Sequence, residues 1–68
     1  MPEKINQRYS IDNSSALVSI LKKMKEYDIT YKVEFSKKCF HIRCYNMDLG
    51  QQDIISSFGK IVKKINWD

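Results

Sequence analysis

The spacing of hydrophobic positions along this chain switches between two periods, and each switch marks the start of an element. Residues 4–11, KINQRYSI, alternate: Ile5, Tyr9 and Ile11 fall on one parity, Asn6, Arg8 and Ser10 on the other. That is the period of a strand, and the polar character of the second parity predicts an edge strand. From Ser14 the period lengthens, with Leu17, Ile20, Leu21 and Met24 on one helical stripe and Lys22, Lys23, Lys25 and Glu26 turned away from it. Asp12, Asn13 or Ser14 supplies the short side-chain oxygen that caps the free amides of a first turn. Alternation returns at Ile29, placing Ile29, Tyr31, Val33 and Phe35 on one face and Thr30, Lys32, Glu34 and Ser36 on the other. It resumes after Ser36-Lys37-Lys38, with Phe40, Ile42 and Cys44 opposed to Cys39, His41, Arg43 and Tyr45. The two runs predict a hairpin, although the turn lacks the Asn-Gly pair that favours one.

The last third reads as a helix. Ile54, Phe58, Ile61 and Ile65 keep helical register, with Ile55 and Val62 beside them, and Asp48 with Gln51 three residues on resembles a capping box with Asp in place of Ser or Thr. Lys60, Lys63 and Lys64 suit the negative C-terminal end of a helix dipole. Gly59 inside that helix costs about 1 kcal/mol relative to alanine, which suggests a close approach between helix and sheet.

The predicted order is β-α-β-β-α in one domain spanning residues 1–68. A right-handed crossover leaves room for the third strand between the first two. The expected fold is α+β and two-layered: a small antiparallel sheet of two or three strands, covered on one face by two helices. In order of elements this resembles a ferredoxin-like domain lacking its last strand, a resemblance that involves no sequence motif and implies nothing about function. Without the first strand the fold reduces to a hairpin under two helices.

Sixty-eight residues bury a single thin core. No run approaches the roughly 18 apolar residues of a membrane span, and the polar start lacks the apolar stretch of a secretory signal. A cytoplasmic protein without a membrane partner is expected. The net charge of +4 favours anionic partners. Two cysteines are too few for the disulfide framework of a small secreted domain.

The stretch KKCFHIRCYN, residues 37–46, concentrates the reactive side chains. Cys39 and Cys44 have opposite parity, so a regular strand points them to opposite faces and keeps them from pairing. Cys44 is read as a small buried hydrophobe. Cys39 and His41 share a face, but structural zinc takes four ligands and no other histidine exists to join them. No metal or other cofactor is expected. With no paired carboxylates, no glycine-rich phosphate loop and no third group evident to orient a Cys-His pair, the chain is read as a non-enzymatic binding module.

The sheet face left open by the helices carries the functional expectation. Arg8, Lys32, His41, Arg43 and Tyr45 would share it with Glu34, and a basic sheet with an aromatic among its charges suits single-stranded nucleic acid. The alternative is a protein-binding adaptor or inhibitor of the kind phages and mobile elements encode, with Trp67 as its anchor. Trp67 would follow the final helix, either capping the core or standing exposed, and Val18 lies off the first helix's stripe. The first strand, as an edge, would offer its backbone to another chain, including a second copy in a homodimer.

Overall fold

The computed structural model describes residues 4–67. It is an α+β fold in which two helices cover one face of a four-stranded antiparallel sheet. Strand β1 (Ile5–Ile11) leads through helix α1 (Ser14–Glu26) to the hairpin of β2 (Thr30–Phe35) and β3 (Phe40–Met47). Helix α2 (Leu49–Ser56), a single 3-10 turn (Gly59–Ile61) and strand β4 (Lys63–Ile65) complete the chain. The strands lie in the order β2-β3-β1-β4. β1 and β2 are both antiparallel to β3, so the β1-α1-β2 crossover straddles it, as the sequence implies.

Local chemistry explains most boundaries. Asn13 caps α1, its Oδ1 accepting from the amides of Ser15 at 2.9 Å and Ala16 at 3.2 Å. At the other end the amide of Asp28 donates to the Lys25 carbonyl and that of Ile29 to the Met24 carbonyl. This is the Schellman pattern, with Asp28 at φ 56° in the position glycine usually holds and the Ile29–Met24 contact buried beneath it. The expected capping box of α2 is present: the Gln51 amide donates to Asp48 Oδ1 at 2.8 Å, and the Asp48 amide to Gln51 Oε1 at 3.0 Å. Near the end of β3, Asn46 adopts φ 54° and forms a bulge that its amide secures on Asn6 Oδ1. The extra residue returns Met47 to the face of Cys44, and both are fully buried.

The expected second helix is corrected. The second helix does not run on to Ile65 but ends at Ser56, because Gly59 takes φ 71°, a left-handed conformation that breaks the helix. Among the described residues no atom beyond its two chain neighbours lies within 4 Å of where a Gly59 Cβ would stand, so the glycine serves the turn and not a close approach. Ile55 is therefore the buried residue of α2, whereas Ile61 is 41% exposed and Ile65, like Lys63 and Lys64, belongs to a strand. That strand supplies the element missing from the expected order, and the full β-α-β-β-α-β order with this strand arrangement is the split β-α-β topology.

The first strand is likewise not an edge. β1 pairs with β3 along its length and with β4 from Arg8 to Ser10, so among the described residues the free edges are β2 and β4. Homodimer pairing through β1 would have to displace β4.

The core gathers Tyr9 and Ile11 from β1, Leu17, Ile20 and Met24 from α1, Ile29, Ile42, Cys44 and Met47, and Ile55 from α2. Each fully buried Ile or Met contributes about 1.5–3 kcal/mol. Phe35, placed on the core parity by alternation, stands at the end of β2 and is 78% exposed. It packs edge-to-face on Phe40 with ring centroids 5.5 Å apart. No helix among the described residues is long and apolar enough to cross a membrane.

Candidate nucleic-acid interface

Strand register builds the face opposite the helices row by row. Lys32 stands opposite Arg43, Arg43 opposite Arg8, and Arg8 opposite Ile65, forming one line across all four strands. The adjacent row runs Glu34, His41, Ser10 and Lys63, and Tyr45 pairs with Thr30 on the far side of the first line. Arg8, Lys32, His41, Arg43 and Tyr45 are thus on one face, as alternation predicts. Among the paired residues of this face, Arg8, Lys32, Arg43 and Lys63 are opposed by a single carboxylate, Glu34.

Arg43 organises the middle. Its Nε donates to Glu34 Oε1 at 2.7 Å and its Nη1 to the Trp67 carbonyl. Its guanidinium carbon sits 4.9 Å from the centroid of the Trp67 ring. The Arg43 hydrogen bond holds the Glu34 carboxyl below its ordinary range, helped by the charges of Arg43, Arg8 and Lys32 and opposed by desolvation. Trp67 in turn meets Tyr45 edge-to-face, centroids 5.3 Å apart and planes at 89°. The sequence offered Trp67 as a core cap or an exposed anchor. In the structure β4 carries it onto the open face and leaves it half-buried against Arg43 and Tyr45.

A second network occupies the neighbouring row. Arg8 Nη2 lies 2.8 Å from His41 Nδ1. A guanidinium only donates, so Nδ1 accepts and the neutral ring carries its proton on Nε2. Nε2 faces Cys39 Sγ at 3.2 Å, and Ser10 Oγ donates to the same sulfur at 3.5 Å. Cys39 and His41 do come within hydrogen-bond reach, with Arg8 as a third group orienting the ring. The orientation is wrong for general-base chemistry, since the nitrogen aimed at the thiol already bears a proton. Arg8 Nε is buried without a partner among the described residues. No group of three or more His, Cys, Asp or Glu residues able to hold a metal occurs among the described residues.

Ser10, Lys63 and Ile65 joined this face unannounced. Ser10 was on the correct parity but had no assigned neighbour. Lys63 and Ile65 needed a fourth strand, and the one signal for it was Gly59, whose left-handed preference separates the helical pattern from the residues that follow. Compared with protein-family models, with curated proteins and with solved structures, the chain shows no match.

Proposed function

We propose that this chain binds single-stranded nucleic acid across the open face of its sheet. The observation that carries the reading is the Arg43–Trp67–Tyr45 cluster set beside the line of Lys32, Arg43 and Arg8. Lys32 and Lys63 reach into solvent from opposite edge strands and can follow a phosphate backbone, while the two rings, on the side of the Lys32–Arg43–Arg8 line away from Lys63, offer surface to a base. Base stacking on an aromatic ring is worth about 1–3 kcal/mol per base, and phosphate contacts make the affinity salt-dependent. Arg43, already committed to Glu34 and Trp67, acts here as a positioning residue.

The test is fluorescence anisotropy of labelled single-stranded RNA, single-stranded DNA and duplex DNA at low and near-physiological salt. Saturable binding to a single strand at physiological salt, weakened by Lys32→Glu and by Trp67→Ala in chains whose circular dichroism is unchanged, supports the reading. Binding that disappears with salt, or that ignores both substitutions, refutes it.

A protein-binding module is the second reading, favoured by Phe35 at 78% and Leu49 at 69% exposure, both away from the open face. On that reading Phe35→Ser abolishes capture of a partner and Lys32→Glu does not.

A further inference from the structure

Edge strands usually carry a defence against pairing: short length, proline, a bulge or charged side chains, lysine above all. β4 has two of these, being three residues long with Lys63 and Lys64 among them. β2 is six residues long, contains no proline, keeps unbroken register with β3, and has its one lysine, Lys32, matched by Glu34 on the same face. Its free edge is the feature of this molecule least explained by the monomer.

Which backbone groups that edge offers follows from the hairpin. The Ser36 amide donates to the Cys39 carbonyl at 2.9 Å, which makes that pair a hydrogen-bonded one. Antiparallel pairs alternate, so Glu34, Lys32 and Thr30 also direct their backbone groups toward β3. The amides and carbonyls of Tyr31, Val33 and Phe35 therefore point outward.

We propose that β2 pairs with β2 of a second copy of this chain, antiparallel about a two-fold axis through Val33, joining the two four-stranded sheets edge to edge. In this register Val33 bonds Val33 of the second copy, and Tyr31 bonds its Phe35, so all three outward-facing residues are used on each strand. Lys32 then lies directly opposite Glu34 of the second copy, twice, at non-hydrogen-bonded positions where side chains approach most closely. Glu34 gives one carboxylate oxygen to Arg43 and keeps the other for this contact. On the helix side, each exposed Phe35 gains the Tyr31 ring of the other copy as neighbour. Centring the axis on Lys32 instead sets lysine against lysine and leaves Phe35 unpaired. Shifting by one residue aligns outward groups with inward ones and forms no ladder. The proposal holds whether or not the open face binds nucleic acid.

Sedimentation of the wild-type chain should show a concentration-dependent species of twice the 8.1 kDa chain mass. Lys32→Glu and Glu34→Lys should each lose it, by placing like charges at both contacts. Mixed in equal amounts, those two variants should recover it as a heterodimer, because each contact becomes an opposite-charge pair again. Val33→Pro removes an outward amide that β3 does not use, and should give a folded monomer. A wild type that stays monomeric to millimolar concentration overturns the proposal. So does a dimer that survives in folded Val33→Pro, or a charge-variant mixture that remains monomeric.

Discussion

The guanidinium of Arg43 lies over the ring of Trp67, 4.9 Å from its centroid, and so ties the end of the chain to the centre of the sheet. The tie is a cation–π contact reinforced by the hydrogen bond from Arg43 to the Trp67 carbonyl. β4 pairs with β1 over only three residues, so its hold on the sheet depends on such anchors more than that of the longer strands.

Trp67→Ala is expected to cost about 1–2 kcal/mol, the combined scale of an exposed cation–π contact and an edge-to-face aromatic pair. Urea denaturation followed by circular dichroism measures it. Arg43→Met should expose the chain's single tryptophan and shift its emission to the red.

Gly59→Ala separates a helix interior from a left-handed turn. In a helix interior the change would stabilise by about 1 kcal/mol, whereas at φ 71° it should destabilise by about 1–2 kcal/mol. A fall in thermal midpoint is the expected result.

Tyr9 is 1% exposed and its hydroxyl has no hydrogen-bond partner among the described residues. Tyr9→Phe removes a buried unpaired polar group, so stability at neutral pH should hold or rise by about 1 kcal/mol. The same residue governs alkaline behaviour. Burial, with a smaller contribution from the Cys44 charge, pushes the Tyr9 phenol from 10.0 up to about 12, and burial pushes the Cys44 thiol from 9.0 to about 12. In both cases the unfolded state releases its proton first. The stability is therefore complete below about pH 9 and declines as pH rises toward 12. Equilibrium unfolding across that range should show a shallower decline for Tyr9→Phe, leaving only the Cys44 share.

His41 should carry its proton on Nε2 in its neutral form, because Arg8 occupies Nδ1. Nitrogen-15 NMR of the imidazole reports the tautomer directly. Arg8→Ala should release the constraint and bring the Nδ1–H form into the population.

Glu34 titrates below its ordinary range because its ionised form accepts from Arg43. The stability from that pair is present above the unfolded value near 4.5 and is lost as pH falls through the lower folded value. The acid limb of the stability curve should flatten in Glu34→Gln.

Alternation and helical spacing by themselves determined the strands at Tyr9, Val33 and Ile42, the first helix, the Asp48 capping box and the common face of Arg8, Lys32, His41, Arg43 and Tyr45. These features depend on neighbours within a few residues, where parity and capping chemistry act directly. The final strand depended on the tertiary structure. Ile61, Val62 and Ile65 fit a helical stripe as readily as any other pattern, and only a vacant edge on β1 gives Lys63–Ile65 hydrogen-bond partners that outcompete another helical turn. With β3 on one edge of β1, the opposite edge is the one left for β4. Trp67 reached Arg43 for the same reason, and the left-handed turn at Gly59 is the local feature that permits it.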